Sequence, residues 1–221
     1  MKSFDRVAVL IPVHNEADTL PWVLQRLQLH LPGASVVVVD SGCTDRSTDI
    51  AVDHGASVVI APAPGYWQAL QTGYQALLER DLDAIVQLDG DGQHNPADAP
   101  RLLAKLEVAD WVVGSRIERS SFSRRVGRRL FELILLANGV QASDPSSGYW
   151  AFHPRLLPRL LDYHYNTADL AIRLHLSAIN TESCPVLMAE RQHGRSMHNG
   201  IQGPANFLRS LADAYRVLSS R

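Results

Sequence analysis

Residues 84–94 read AIVQLDGDGQH, an apolar run followed by a turn that carries two carboxylates. The run has the length of a buried strand, and Gly90 and Gly92 end it in a turn. Asp89 and Asp91 therefore lie at the carboxyl end of a predicted parallel strand, where open α/β sheets bind ligands. Two adjacent carboxylates repel each other unless a cation lies between them, and such oxygen ligands suit Mg²⁺ or Mn²⁺. The stretch indicates chemistry on a nucleotide diphosphate.

An isolated Asp-x-Asp is also compatible with an ordinary solvated turn, because short motifs occur often by chance. A helix-loop-helix calcium site does not fit, since its sixth and twelfth positions require Gly and Glu. Counted from Asp89, those positions hold His94 and Pro100. The choice between a metal site and a plain turn therefore depends on the rest of the chain.

The chain around this stretch alternates short apolar runs with helical patterns. Strands are predicted at 7–11, 36–39, 58–60, 84–88 and 111–113, and helices at 20–31, 45–54, 67–78 and 96–106. Repeated βα units of this kind predict a Rossmann-like, mostly parallel α/β sheet flanked by helices. Pro12 is expected to end the first strand, and Thr44 or Asp45 to cap the second helix.

The pattern changes after residue 115. Helices are predicted at 122–138, 154–161, 167–179 and 204–218, with a turn-rich loop at 143–148 and a strand at 184–189. No linker, repeat or low-complexity tract interrupts the chain, so we expect residues 1–221 to form one domain.

The composition is that of an ordinary globular protein with 221 residues, 46% of them hydrophobic, and a net charge of -2. This charge gives no sign of nucleic-acid binding. Lys2 and Lys105 are the only lysines, so nearly all positive charge is arginine, which grips phosphate with a planar fork. A biased genome composition would give the same skew. Without a disulfide framework, signal peptide or membrane-spanning run, a cytoplasmic location is expected.

The predicted strand ends bring several short motifs to one edge of the sheet, and together they resemble the family 2 glycosyltransferases of the GT-A fold. The nearest branch is the dolichyl- or polyprenyl-phosphate mannosyl- and glucosyltransferases. The resemblance rests on ordered co-occurrence, because each motif is weak alone. The matching pieces are IPVHNE (11–16), VVDSGCTD (38–45), LDGDGQH (88–94), VGSR (113–116), SDPSSGY (143–149) and, more weakly, RQHGRS (191–196).

The resemblance implies a metal-dependent, inverting transfer of a hexose from a GDP- or UDP-sugar to a polyprenyl phosphate. Residues 1–116 would form the nucleotide-sugar-binding half and residues 117–221 the acceptor-side half. The cofactor would be Mg²⁺ or Mn²⁺, acting as a Lewis acid on the leaving diphosphate. The implied nucleotide-binding residues are Pro12, Glu16, Asp40, Asp89 and Arg191; the metal ligands are Asp91, Asp89 and Gln93; the catalytic residues are Asp89, Asp91, Arg116 and Asp169.

Each of these residues has a structural alternative. Glu16 could cap the first helix and Asp40 could be a turn residue. Arg116 could form a surface ion pair, and Arg191 could be solvated. His193 and His198 could reach a metal, although surface imidazoles are the commoner case.

The chain departs from the family pattern near the expected donor. The family usually has a second acid after Asp40, where this chain has Ser41, and small residues after Gly65, often Gly-Lys-Gly-Ala-like. Here the run is GYWQA (65–69), which places bulk and amide chemistry beside the donor. Met197 stands where the late motif usually has lysine. These departures support an alternative reading, a catalytically weak homologue that binds nucleotide or lipid as a partner subunit.

A basic segment precedes an apolar one in the second half. Six arginines and one acid, Glu118, lie between residues 116 and 129, and residues 130–136 are mostly apolar. Arg124 and Arg128, like Arg125 and Arg129, are four apart and share a helical face. This pattern suits peripheral contact with a membrane surface, although a core helix with a solvated basic end fits too. A separate membrane partner is a further alternative.

The acceptor decides which chemistry the site must supply. A lipid phosphate is already an oxyanion at neutral pH, so positive charge and in-line placement suffice. A sugar hydroxyl would need a base within hydrogen-bond reach. Asp169 resembles an acidic position of the family and would be that base or would orient the acceptor; a helix N-terminal acid is the alternative.

Overall fold

A computed structural model describes residues 4–117, 144, 147–162 and 179–189, together with positions 129, 133 and 136. The strands are β1 (Val7–Val13), β2 (Ser35–Asp40), β3 (Ser57–Ile60), β4 (Ala84–Gln87), β5 (Trp111–Ile117), β6 (Trp150–Phe152) and β7 (Thr181–Leu187). The helices are α1 (Leu20–His30), α2 (Ser47–Asp53), α3 (Tyr66–Leu77), α4 (Ala99–Lys105) and α5 (Leu157–Leu161). Short 3-10 turns, Pro96–Asp98 and Pro154–Leu156, precede α4 and α5.

The described strands form one sheet in the order β3-β2-β1-β4-β6-β5-β7. Strands β3, β2, β1 and β4 are mutually parallel, and β7 is parallel to β5. Strand β6 is antiparallel to both β4 and β5, so β5 runs in the same direction as β4. The predicted mostly parallel sheet flanked by helices is confirmed, and the carboxyl ends of β1, β2, β4 and β5 meet at one edge.

Strand β1 continues through Pro12 to Val13, so the prediction that Pro12 ends it is wrong. Pairing between β1 and β4 stops at Leu10, whose carbonyl accepts the N–H of Leu88. Backbone groups point to alternate sides along a strand, so the nitrogen of Pro12 points to the same side as the carbonyl of Leu10. At Pro12 that side lies beyond the end of β4. The missing N–H of proline therefore removes no ladder hydrogen bond.

Each face of the sheet is covered by an apolar cluster. Along β1, Val9 and Ile11 pack on the face with α1 and α4, whereas Ala8 and Leu10 pack on the face with α3 and α5. A strand buried on both faces reads as a continuous apolar run, which is why the sequence predicted it well. Helix α3 approaches β1 closely at Gly73, where a Cβ would lie 2.3 Å from Leu10 Cδ1.

The sequence did not predict β6, which lies between β4 and β5. Its three residues, Trp150–Phe152, are all buried, and Trp150 packs edge-to-face on Trp111 with the ring centroids 5.2 Å apart. A run this short carries no periodicity that separates a strand from a buried loop.

The remaining predictions have mixed outcomes. The predicted helix 96–106 divides into a 3-10 turn and α4, the helix expected from residue 45 begins at Ser47, and the late strand is β7. The predicted helices 122–138, 167–179 and 204–218 lie outside the described residues, except that positions 129, 133 and 136 are helical and residue 179 is not. In the part of the chain that the structure describes, no helix is long and apolar enough to cross a bilayer.

Candidate active site

The loops that follow β1 and β2 are tied together at the carboxyl edge of the sheet. Asn15 adopts a left-handed conformation with φ 56, and its side-chain oxygen accepts the N–H of Thr44 at 2.7 Å. The N–H of Glu16 donates to the hydroxyl of Ser47 at 2.9 Å. Asparagine tolerates this backbone region better than most residues, so its place in the PVHNE run is structural. The two loops therefore form one preorganised surface, tied together through Asn15, Glu16, Thr44 and Ser47 and called the ledge below.

Asp40 is a buried member of this ledge. Its Oδ1 accepts the N–H of Cys43 at 2.6 Å, and its Oδ2 accepts the hydroxyl of Thr48 at 2.7 Å. Burial alone would raise the pKa of Asp40, but these hydrogen bonds outweigh it and leave the pKa below its usual value. Asp40 therefore remains a carboxylate and organises the loop, as the turn alternative expected. Its predicted contact with the ribose or base stays a prediction.

The carboxylate of Glu16 reaches across to the turn after β4. A Cβ at position 90 would lie 2.5 Å from Glu16 Oε2, so the two groups are in close approach. Thr19 flanks the same turn, donating its hydroxyl to the carbonyl of Gly90 at 2.8 Å. Helix α1 begins at Leu20, and Glu16 contributes its backbone carbonyl rather than its side chain to the helix start. The Glu16 carboxylate lies beside the Asp-x-Asp turn.

The second carboxylate of that turn is buried and held by its own loop. Asp91 Oδ1 accepts the N–H of Gln93 at 3.0 Å, and Gly92 between them has φ 75. The amide of Gln93 donates to the carbonyl of Ala189 at 3.4 Å, just beyond β7. The Gln93 carbonyl in turn accepts the N–H of Ala189 at 3.0 Å. The end of β7 thus supports the turn and orients the side chain predicted to add an amide oxygen to the metal.

Asp89 is fixed through both its backbone and its side chain. Its N–H donates to Nδ1 of the buried His94 at 3.1 Å. The imidazole of His94 thus fixes the backbone at Asp89, and its Nδ1 lies 3.6 Å from Asp89 Oδ2. The Oδ1 of Asp89 accepts the hydroxyl of Tyr66 at 3.0 Å.

Arg116 forms a two-pronged ion pair with Asp144. Its Nε and one terminal nitrogen each lie 2.6 Å from a carboxylate oxygen of Asp144, and its backbone N–H donates to the same group. Asp144 is fully buried and has a left-handed φ of 50, which sets the course of its loop. A bidentate pair fixes geometry as well as charge. Arg116 thus anchors the 144–148 loop, and its predicted contact with phosphate or acceptor stays a prediction.

The same loop is fastened to the ends of β5 and β4. The hydroxyl of Ser147 donates to the carbonyl of Gly114 at 2.7 Å, where a Cβ would lie 3.1 Å from the Tyr149 carbonyl oxygen. The carbonyl of Gly148 accepts the side-chain amide of Gln87 at 3.2 Å. These contacts explain the glycines of the VGSR and SDPSSGY motifs and bring Gly148 beside Asp89.

The carboxylates at this edge suit a divalent cation that is shared with a substrate. Among the described residues, no group of three or more His, Cys, Asp or Glu side chains is arranged to hold a metal by itself. Mg²⁺ commonly uses one or two protein carboxylates and takes its other ligands from water and substrate phosphates. Asp89 and Asp91 fit that partial set, with Gln93 beside them.

Several predicted site residues cannot be placed. Asp169 and Arg191 lie outside the described residues, as do Arg124, Arg125 and Arg128. Arg129 is described, helical and exposed. Sequence reasoning placed Tyr66 near the donor but did not predict its contact with Asp89, and it missed His94 and Asp144 as contributors to the site. Asp144 and His94 lie inside motifs that were matched, but only the folded contacts show what they hold.

A mostly parallel GT-A sheet with an Asp-x-Asp turn at its carboxyl edge defines the class of a glycosyltransferase. The sequence model of the family described as "Glycosyl transferase family 2" matches residues 8–161, and the chain belongs to this family. The predicted family is therefore confirmed, and with it the expectation that this protein is a glycosyltransferase.

Two relatives with specific names match most of the chain. Undecaprenyl-phosphate mannosyltransferase of Micrococcus luteus is 31% identical over 229 residues, which cover 90% of each chain. Undecaprenyl-phosphate 4-deoxy-4-formamido-L-arabinose transferase of Edwardsiella ictaluri is 31% identical over 224 residues, covering 95% of this chain and 68% of the relative.

A solved structure shows the same fold. Glucosyl-3-phosphoglycerate synthase from Mycobacterium tuberculosis, in complex with Mn²⁺, UDP and glucosyl-3-phosphoglycerate, superposes with a TM-score of 0.69. The match covers 95% of this chain and 80% of that one at 21% identity, which supports the fold alone. The same enzyme has also been solved with Mg²⁺ and UDP.

Proposed function

We propose that this protein is a metal-dependent, inverting glycosyltransferase that moves a hexose from a GDP- or UDP-sugar to a polyprenyl phosphate. The observation that carries the proposal is the 31% identity to the Micrococcus luteus mannosyltransferase over 90% of both chains. Both named relatives act on undecaprenyl phosphate, so the acceptor class is common to them although their sugars differ.

The ledge formed by the β1 and β2 loops would receive the nucleotide. Pro12, Glu16 and Asp40 lie on or beside it, and its hydrogen bonds fix it before any ligand arrives. Preorganised polar groups lose little free energy on binding because they need no rearrangement. Arg191 would add positive charge over the pyrophosphate.

The turn after β4 would hold the diphosphate end of the donor. Asp91 and Asp89, with Gln93, would hold the divalent cation, which when bound neutralises the diphosphate and stabilises it as a leaving group. Like-charged carboxylates would otherwise repel the donor. The residues of the turn thus supply a site whose affinity for nucleotide depends on metal.

The transfer itself would be a single in-line displacement. An oxygen of the lipid phosphate would form a bond to the anomeric carbon as the bond to the nucleotide phosphate breaks, which inverts the configuration. The acceptor is already an oxyanion, so no side chain has to remove a proton. Arg116, beside the 144–148 loop, would place positive charge near the reacting phosphates.

Exposed apolar side chains at the site's edge support a lipid acceptor. Ile117 and Leu187 are paired in register at the carboxyl ends of β5 and β7, and both are exposed. Arg129, Leu133 and Leu136 are helical positions with exposed side chains, and a spacing of four and three is that of one face of a helix. The exposure of these two leucines favours a surface role over the core-helix alternative at those positions.

We infer from this face a peripheral contact with the cytoplasmic side of a membrane. Arginines at 124, 125, 128 and 129 would meet anionic headgroups or the lipid phosphate, and the exposed leucines would enter the interface. A basic segment beside an apolar one combines both attractions.

The test is nucleotide binding followed by transfer. Thermal unfolding should be measured with GDP, UDP and their sugars, each with and without Mn²⁺, because a ligand of the folded state raises the melting temperature. The nucleotide that stabilises the protein only with Mn²⁺ should then support transfer of labelled hexose to undecaprenyl phosphate. Transfer to a sugar hydroxyl but not to the lipid would contradict the acceptor. Metal-dependent binding without any transfer would favour the binding-subunit alternative.

A further inference from the structure

The hydroxyl of Tyr66 lies in an unusual position for a residue that departs from its family's pattern. It is 3.0 Å from Oδ1 of Asp89, the first carboxylate of the Asp-x-Asp turn. An ionised carboxylate only accepts hydrogen bonds, so the phenol is the donor. A neutral donor therefore contacts Asp89.

The start of helix α3 aims Tyr66 at the carboxylate. Gly65 precedes the helix with φ 141, and its N–H donates to the buried hydroxyl of Ser41 at 2.8 Å. Further along, Gly73 seats the helix directly against Leu10. Ser41 thus holds the residue that directly precedes Tyr66. The helix start is fixed from both sides, and little freedom remains for the phenol.

Gly148 closes the other side of this contact. A Cβ at position 148 would lie 2.7 Å from the Tyr66 hydroxyl and 3.2 Å from Asp89 Oδ2. Any larger residue would therefore push the phenol away from the carboxylate. The backbone of Asp89 is held separately by His94. Asp89 is thus constrained on three sides, while 28% of its side chain remains exposed.

A phenol and an ammonium would act differently on this carboxylate. Lysine would neutralise Asp89 and compete with a cation for it, whereas a phenol orients the group and leaves its charge in place.

We infer that Tyr66 is a positioning residue for Asp89, whose hydroxyl holds one carboxylate oxygen so that the group faces the divalent cation and the donor diphosphate. This inference rests on the proposed function. The inference gives a role to Tyr66 within residues 65–69. Its neutral hydroxyl orients the Asp89 carboxylate without neutralising it.

The test measures nucleotide binding by isothermal titration calorimetry in the absence of acceptor, using UDP and GDP across a range of Mn²⁺ concentrations. Tyr66→Phe removes the hydroxyl and keeps the ring. We expect the Mn²⁺ concentration for half-maximal nucleotide binding to rise roughly tenfold, since hydrogen bonds to charged groups are among the stronger ones. Nucleotide binding without metal should not change. Gly148→Ala should give the same effect with Tyr66 intact.

Thr72→Val is the control. Thr72 lies on the same helix, about 9 Å further along, and its hydroxyl donates to the carbonyl of Gln68 at 2.8 Å. Its loss removes a hydroxyl from α3 that does not contact Asp89 or Gly148, so the Mn²⁺ requirement should not change. In steady-state assays, Tyr66→Phe should lower kcat at limiting Mn²⁺ and recover as Mn²⁺ increases.

Three results for Tyr66→Phe would overturn the inference. An unchanged Mn²⁺ requirement would show that the hydroxyl only packs. Equal losses of binding with and without metal would show that it contacts the nucleotide. Tighter metal-dependent binding would show that the phenol competes with the cation for Asp89. If the wild-type protein binds neither nucleotide with Mn²⁺, the proposed function fails and this inference falls with it, whereas the first three results leave the proposed function standing.

Discussion

Asp40 and Asp89 follow neighbouring parts of the same sheet edge, yet their surroundings differ. Both oxygens of Asp40 accept hydrogen bonds from its own loop, and the residue is buried. Asp89 accepts one side-chain hydrogen bond, from Tyr66, and more than a quarter of its side chain is exposed. The first carboxylate is enclosed by the protein, and the second is held on one side and open on the other.

This difference separates carboxylates that build the site from those available to a ligand. A buried carboxylate must find donors within the fold, because desolvation without hydrogen bonds is costly. Asp40 and Asp144 meet that requirement with backbone, hydroxyl and guanidinium donors. Asp89 has the orientation and the open side that a ligand-binding carboxylate needs, whereas Asp91 is buried and accepts the N–H of Gln93, so its proposed role tests the comparison from the enclosed side.

The sharpest test of the comparison is Asp91→Asn, in the turn that we propose holds the metal. The change removes one charge and keeps the shape, so metal-dependent turnover should fall by about a hundredfold or more. The free energy of unfolding should hardly change. Asp49→Asn, on an exposed side chain of α2, is the control and should alter neither quantity. Near-normal turnover of Asp91→Asn across Mn²⁺ concentrations would remove Asp91 from the metal site.

Arg116→Gln should chiefly destabilise the protein, because it leaves the buried carboxylate of Asp144 without its bidentate partner. We expect a loss of roughly 2–3 kcal/mol in the free energy of unfolding, measured by urea denaturation. Arg116→Lys keeps the charge but cannot form both hydrogen bonds to Asp144, so it should recover only part of the lost free energy of unfolding. Full stability in Arg116→Gln would show that Asp144 is supported by other groups.

Asp40→Asn should destabilise the β2 loop by about 1–2 kcal/mol at neutral pH. The pKa of Asp40 in the folded protein lies below its ordinary value of 3.8, so its stabilisation is complete above that pH and is lost as the pH falls through the folded value. The stability difference between wild type and variant should therefore shrink below pH 3.8. Denaturation series at pH 7 and pH 3 measure this, and a constant difference would contradict the assigned cause.

The smallest effect on stability is expected at the exposed helical face. Replacing Leu133 and Leu136 with Gln should change the free energy of unfolding by less than about 0.5 kcal/mol, since both side chains are exposed. Binding to vesicles that contain anionic lipid should nevertheless weaken several-fold, as co-sedimentation would show. Binding of soluble nucleotide should stay the same. A large loss of stability would mean that these leucines pack against the protein after all.

The charge on the same segment offers a companion test. Arg124→Glu with Arg128→Glu should weaken vesicle binding and transfer to polyprenyl phosphate, and the wild-type vesicle interaction should weaken as salt rises. If the variant binds vesicles and transfers sugar normally, transfer to a hydroxyl with Asp169 as candidate base becomes the better reading.

The sequence predicted the parallel strands and the motifs at their ends because those features are local. Val9 and Ile11 belong to a continuous apolar run, which is the sequence pattern of a strand buried on both faces. Asp89 and Asp91 are recognisable from the glycines that separate them from the next helix. Such signals need no knowledge of distant residues.

The contacts that complete the site could not be predicted in the same way. Asp144 meets Arg116 across 28 residues, and Tyr66 meets Asp89 across 23. Neither pair follows from spacing, because the contact depends on how helix α3 and the 144–148 loop approach β4. The bulk at Tyr66 and Trp67 was expected near the donor. The structure gives Tyr66 a polar contact and packs Trp67 against the apolar cluster beneath α3.

The position of β6 has a consequence for the order in which the molecule is completed. Strands β4 and β5 both end by residue 117, yet the strand that pairs with each of them begins at Trp150. Until then β4 has one open edge and β5 has no partner on either side, which is the state in which strands aggregate. Gly148 precedes β6 by two residues. Insertion of β6 between β4 and β5 therefore also delivers Gly148 to Asp89, whereas β7 and Ala189, which supports Gln93, come from later residues.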